Sequence, residues 1–234
     1  MKLYLDASAG LSGDMMLAAM IDLGLPVAEI LEALQPLGLS GVKILGERGK
    51  RGTRLHYQFP RAIRLPRRIQ ELRRWMEQSA LKRSLKGKMI RILQKIGQAE
   101  AAAHGTSIDH VRLHQLARPA VWINVAGFLT GLERWRISRL YVSRIPLGSL
   151  HRNGSGRLIP RPGPATERLL KGFRIRRLND PFEWTTPTGA ALLTCFGSRE
   201  EAPPFRVKGI GHGVGQGRPP RGEGRLRLFL GEIA

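Results

Sequence analysis

The stretch Leu3 to Met16, LYLDASAGLSGDMM, constrains the fold of this chain more than any other. A short apolar strand pattern runs into a Gly/Ser turn and leaves it at Asp14 as a helix. Gly10 and Gly13 can take positive φ or let another group approach the backbone closely. Ser12 and Asp14 are both good N-cap types, and a helix start presents unpaired N–H groups and partial positive charge. An anion can sit at such a start, with Asp6 or Asp14 holding a metal or a proton beside it. An ordinary strand-to-helix turn accounts for the same residues, and both readings stay open at this point. No Gly-Lys-Ser/Thr follows, so this is not a nucleotide-triphosphate loop.

The 234 residues suffice for one large domain or two small ones with a sizeable core. Hydrophobic content of 42% supports a folded chain rather than a disordered one. No run of about 18 apolar residues is present, and no basic segment precedes an apolar one, so neither a membrane span nor secretion is expected. The single cysteine, Cys195, excludes an internal disulfide framework and fits a reducing cytoplasm. Its place in a helical run makes it a buried structural thiol.

Charge is distributed unevenly. Lys and Arg number 39 against 18 acids, a net +21, yet residues 1–47 hold six acids and two lysines. Such a field favours anionic partners: nucleic acid, nucleotides or another phosphorylated ligand. The basic residues run from Arg48 to Arg227 without a block of five, which weakens the nucleic-acid reading.

Strand and helix patterns alternate along the chain. Helices are expected at Asp14–Leu23, Val27–Leu37, Arg68–Ser79, Lys82–His104, Ala120–Arg134, Pro164–Lys171 and Pro187–Phe196. Strands are expected within Val42–Phe59, where a basic turn at 49–52 joins two, and at Leu140–Pro146, Phe173–Leu178, Phe205–Lys208 and Arg225–Leu230. Leu147–Pro164 reads as a long loop, and the alternating glycines Gly209 to Gly217 as backbone that wraps something or forms an irregular edge. The fold class is α/β, with α+β as the variant: a mixed sheet with flanking helices. One large domain over 1–234 is expected, with 1–60 and 61–234 as candidate lobes.

Three further segments carry chemistry: Arg112-Leu113-His114-Gln115; Pro146-Leu147-Gly148-Ser149 with Pro160 to Thr166 downstream; and Glu183-Trp184-Thr185-Thr186-Pro187-Thr188-Gly189. A threonine of the last can cap its helix, or that helix start can be a second anion cradle. His110 and His114 form the one histidine pair at helical spacing, so they are the candidate metal ligands.

In order along the chain, YLDASAGLSGDMMLAAMIDLG, AEAAAHG, PLGS, PGPATERLLKG, TTPTGAALL and GIGHGVG resemble the LarC family, the nickel-insertion proteins of nickel-pincer cofactor biosynthesis. The resemblance implies a cytoplasmic enzyme, a cyclometallase of the lyase class. It inserts Ni2+, as substrate metal, into a pyridinium-3,5-bisthiocarboxylate mononucleotide, forming metal–sulfur and metal–carbon bonds with CTP consumed beside Mg2+ or Mn2+. It further implies catalytic roles for Asp6 and Asp14, binding of the anionic mononucleotide by Ser8, Gly10, Ser12, Gly13, Glu183, Thr186, Thr188 and Gly189, and metal contact at His114, which the spacing pairs with His110. Family members often continue into a smaller domain implicated in CTP binding, so a separate C-terminal-domain polypeptide is an expected partner, and a homo-oligomer is another.

This chain departs from the family at several positions. The family's His-Phe-His-Glu is Arg112-Leu113-His114-Gln115 here, its following aspartates fall at or near Ala120 and Asn124, and its cysteine after the first aspartate is Ala7. Imidazole and carboxylate suit Ni(II), so these exchanges remove ligands. Two other readings therefore stand beside nickel insertion: a weakened paralogue acting as a binding or partner subunit, and a basic nucleic-acid-binding protein.

Overall fold

The computed structural model describes residues 1–60, 63–113, 116–152, 158–217, 219–220 and 224–233. In chain order the elements are β1 (Lys2–Ala9), α1 (Gly13–Asp22), α2 (Val27–Leu34), β2 (Lys43–Gly49), β3 (Gly52–Gln58), α3 (Ile69–Gln78), α4 (Arg83–His104) and α5 (Pro119–Arg134). There follow β4 (Arg139–Val142), β5 (Ile145–Leu147), β6 (His151–Arg152), β7 (Leu158–Ile159), α6 (Pro164–Leu169), β8 (Ile175–Arg177), α7 (Pro187–Phe196), β9 (Phe205–Val214) and β10 (Arg225–Ile233). Six strands form one mixed sheet in the order β2-β3-β9-β10-β1-β4, parallel at β1–β4 and β3–β9 and antiparallel elsewhere. With helices flanking it, this is an α/β fold. Strands from both ends of the chain share the sheet, which places the opening turn beside the last two strands.

Alternation along β1 puts Leu3, Leu5 and Ala7 in the core and leaves Tyr4, Asp6 and Ser8 on the other face. Helix α1 lies across β9, β3 and β10, with α5 packed behind it. That position between two layers explains why Met15 to Met20 are all buried: an all-round apolar helix needs cover on every side. The helix ends at Leu23, and Gly24 turns the chain at φ 109° before Pro26 opens α2.

The alternating glycines lie inside a strand. β9 runs unbroken from Phe205 to Val214, past the Lys208 boundary expected from sequence. A Cβ at Gly211 would overlap the Ala19 carbonyl oxygen, and one at Gly213 the Met15 carbonyl oxygen. What this backbone accommodates is therefore α1, which packs on β9 with no side chain between them.

Two other expectations change. The single strand at Leu140–Pro146 is two strands: β4 joins the main sheet beside β1, and β5 pairs with β8 in a separate two-stranded sheet. The helical face proposed for His110 and His114 is absent at His110. Ile108–His110 is one 3-10 turn, and Val111 is already extended at φ −64°, ψ 129°. The turn stops because the next residues pair with the start of α3, through Leu113 N–H to the Arg67 carbonyl at 2.7 Å and an Arg68–Arg112 bridge. His114 and Gln115 lie outside the described residues.

Candidate functional site

The opening turn and the Thr-Pro-Thr segment hold each other by backbone. Leu11 donates its N–H to the Trp184 carbonyl at 2.8 Å and accepts from Thr186 N–H at 2.9 Å. Both helix starts are capped from within: the Ser12 hydroxyl accepts from Met15 N–H at 3.4 Å, the Thr186 hydroxyl from Gly189 N–H at 3.3 Å. Gly13 packs against Thr188 and Asn124, and Gly189 against the Leu11 carbonyl, so Gly13, Thr188 and Gly189 are buried at the joint between the two helices.

Around this joint lies a cavity of about 220 Å³, walled by Gly10, Ser12, Asp14, Phe182, Glu183, Trp184, Thr186 and the chain at Gly215–Gly217. Asp14 is held at both oxygens: Oδ1 accepts from the Ser12 hydroxyl at 2.5 Å, and Oδ2 from Gln216 N–H at 3.2 Å. Gln216 in turn donates its side-chain amide to the Leu55 carbonyl at 2.5 Å, anchoring that loop to β3. A carboxylate fixed in this way presents its remaining lone pairs in one direction, which is how outer groups orient a metal ligand. Glu183 lines the same cavity. Burial pushes its carboxyl above the ordinary range, and the Arg161 guanidinium 3.8 Å away offsets only part of that.

Two groups behind Asp14 complete the arrangement. The Tyr57 hydroxyl donates to the Asn124 side-chain oxygen. Burial, with the Asp14 charge adding to it, raises the Tyr57 pKa, so the phenol stays protonated and remains a donor. Where the resemblance expects an aspartate, Asn124 keeps the acceptor and drops the charge.

The segment 180–183 separates this cavity from a second one of about 230 Å³, lined by Gly148, Ser149, Arg161, Glu167 and Arg177 among others. PLGS is fastened to residues 180–185: Ser149 N–H reaches the Asp180 carbonyl at 2.7 Å, and the Thr185 hydroxyl the Pro146 carbonyl at 2.7 Å. A Cβ at Gly148 would overlap the Phe182 carbonyl oxygen, so the close packing requires glycine there. Asp180 Oδ1 accepts from Phe182 N–H at 3.0 Å and from the Trp184 indole at 2.7 Å. Trp184 meets Phe182 edge to face at 5.1 Å.

The structure thus brings together Gly10, Ser12, Asp14, Glu183 and Thr186, and it separates Asp6 and Ser8 from them. Asp6 pairs with Arg227 across β1 and β10 on the far face of the sheet. Burial there opposes its charge, but the Ser8 hydroxyl, Arg227 and the Ser8 N–H outweigh it and hold the carboxyl below its usual range. His110 is exposed, its Nδ1 2.9 Å from the Ser107 hydroxyl. Among the described residues no three His, Cys, Asp or Glu side chains form a metal-binding group. Cys195 is buried and free, and burial lifts its pKa to about 11. Sequence reasoning missed Phe182, Gln216 and Tyr57, because none of them stands in a motif and only the fold brings them to Asp14.

Small-residue turns and two carboxylates thus line one cleft at the ends of strands β1 and β9 of an α/β fold. The chain belongs to the nickel insertion protein family, whose model matches residues 3–234. It is 35% identical over 241 residues to a protein of Geotalea daltonii provisionally named for nickel insertion, covering 99% of this chain and 61% of the relative. It is 32% identical over 237 residues to the pyridinium-3,5-bisthiocarboxylic acid mononucleotide nickel insertion protein of Desulfitobacterium hafniense, covering 99% and 58%. The chain thus spans about three-fifths of the length of these curated relatives. No solved structure matches it significantly.

Proposed function

We propose that this chain holds the mononucleotide and receives Ni2+ in nickel insertion into pyridinium-3,5-bisthiocarboxylate mononucleotide. The observation that carries the reading is the oriented Asp14 carboxylate lining one small cavity with Glu183, in a chain of this family. Carboxylate oxygens can take up an incoming divalent ion, and the substrate's two sulfurs and ring carbon then replace them as the ion's final ligands. Bonding to the ring carbon releases one proton. Glu183, whose raised pKa makes it a better base than an ordinary carboxylate, is the acceptor in this reading. Ser12, Gln216 and the Tyr57–Asn124 pair position Asp14 and its helix. The Gly10 turn and Thr186 shape the cavity.

CTP with Mg2+ or Mn2+ would be engaged by a C-terminal-domain polypeptide supplied in trans. The test is purified chain with Ni2+, CTP, Mg2+ and the thiocarboxylate mononucleotide, with and without that domain, followed by the absorbance and mass of the nickel product. Product formation supports the reading; no product in the complete mixture overturns it. Replacement of Asp14 by Asn then separates this site from any other, since an unimpaired variant removes Asp14 from the reaction. The weakened-paralogue reading, favoured by Arg112, Gln115, Ala120 and Asn124 in the sequence, predicts substrate binding without product.

A further inference from the structure

On the far face of the sheet, where the edge strand β4 ends, a larger cavity of about 600 Å³ joins three arginines to an aromatic wall. We propose that it binds a nucleoside phosphate, with the phosphate at Arg144 and Arg199 and the base against Phe205. It shares no lining residue with the Asp14 cavity or with the cavity at Arg161. The site therefore goes beyond nickel insertion, whose success or failure does not decide it.

Strand pairing sets two of the cations side by side. β5 and β8 run parallel with Ile145 beside Ile175, and Ile145 N–H donates to the Arg174 carbonyl at 2.9 Å, so Arg144 and Arg174 enter that sheet as neighbours. Like charges at adjacent strand positions repel unless an anion lies close to both. Arg174 is answered by an ion pair with Glu201. Among the described residues no carboxylate pairs with Arg144, which leaves its guanidinium open to an incoming anion. The third cation, Arg199, is seated in advance. Its stem crosses Gly172, where a Cβ would come within 2.9 Å of the Arg199 Nε. Its guanidinium carbon stands 4.8 Å from the centre of the Phe173 ring, and Nε donates to the Lys171 carbonyl at 3.4 Å. The terminal amino groups of this fixed fork suit phosphate oxygens. Three arginines thus stand against Glu200 and Glu201, and Glu201 is already spent on Arg174.

The rest of the wall is flat and apolar. Phe205 is half-buried and tilted against Tyr4 with ring centres 6.5 Å apart, and Tyr4 is braced in turn by Phe229 at 6.0 Å. Pro203 and Pro204 line the cavity beside it. A base stacks on such a ring whatever the pattern of donors and acceptors on its edge. The volume falls in the range of roughly 300 to 1,000 Å³ in which small-molecule sites lie. Inorganic phosphate alone leaves the aromatic wall unused, and a ring without phosphate leaves Arg144 unanswered. A nucleoside phosphate engages both.

The test titrates adenosine monophosphate and cytidine monophosphate calorimetrically into the unmodified protein at low salt, with adenosine and inorganic phosphate as the separate halves. Each nucleotide is expected to bind about tenfold or more tightly than either half, since charge-assisted hydrogen bonds and stacking both contribute. Arg144→Gln should weaken adenosine monophosphate about tenfold and leave adenosine unchanged. Phe205→Leu should weaken both by about fivefold, and Phe205→Tyr should keep the parent affinity. Arg161→Gln, in the other arginine-lined cavity, should bind adenosine monophosphate as the parent does. Absence of nucleotide binding overturns the proposal, as does equal affinity for adenosine monophosphate and inorganic phosphate. Loss of binding in Arg161→Gln with Arg144→Gln unimpaired overturns it too. Should Phe205→Leu lower the thermal midpoint, Arg144→Gln, a change at an exposed side chain, decides the matter alone.

Discussion

Asp6 and Asp14 look equivalent in sequence, yet the fold gives them separate tasks. Asp6 faces Arg227 on the far side of the sheet, while Asp14 enters the cavity. Strand alternation makes Asp6's side predictable once β1 is recognised; its arginine lies 221 residues away and is not. Asp6→Asn should cost about 1 kcal/mol near neutral pH, as expected for a partly exposed pair. Because the folded state holds the Asp6 carboxyl below its unfolded value, its contribution is present above the unfolded pKa and disappears as pH falls through the folded one. Denaturant midpoints of parent and variant should therefore converge in acid. Glu183 has the opposite sign. Its folded pKa is raised, so the native state holds the proton at pH values where the unfolded chain has lost it. Stability falls as pH climbs through that window, and Glu183→Gln should flatten this segment of the pH–stability curve. The same variant should slow nickel insertion on the order of a hundredfold or more if Glu183 takes the ring proton.

At the scale of elements, the sequence made most helices legible and blurred the contacts between them. Periodicity located α1, α4 and α7 within a residue or two, since long amphipathic or capped runs declare themselves locally. β9 was shortened because glycine has low strand propensity, and only the helix lying on it explains why glycine is there. Gly213→Ala should consequently destabilise the protein by several kcal/mol, in the manner of an overpacked core, and should lower the midpoint of thermal unfolding markedly. Ser12→Ala tests a different part of the same helix. It removes the cap and one hydrogen bond to Asp14, so about 1 kcal/mol of stability and a measurable loss of Ni2+ affinity should go together. A cap without a ligand-orienting role would lose the first and keep the second.

For the whole molecule, the net charge and the cavity charge point in opposite directions. Arginines spread over the surface attract polyanions in general, whereas the acidic cavity selects against them locally. Composition alone therefore suggests nucleic acid, and the placing of Asp14 and Glu183 in one cavity turns that suggestion toward a divalent cation. Nucleic acid carried along on purification should release over a narrow salt range, with a steep logarithmic slope. Affinity for Ni2+ should change much less over the same range, because the carboxylates proposed to take it up lie at short distance inside the protein. The contact between α1 and β9 has one more consequence, a mechanical one. Backbone pressed on backbone has no rotamers to yield, so the wall that carries Asp14 behaves as a fixed jaw. The wall at Asp180 to Glu183 is likewise pressed on Gly148, at the Phe182 carbonyl, and tied to Ser149 by one hydrogen bond. Amide hydrogen exchange should then be slow across α1 and β9 with or without ligand, and a ligand should slow it at Phe182 and Trp184.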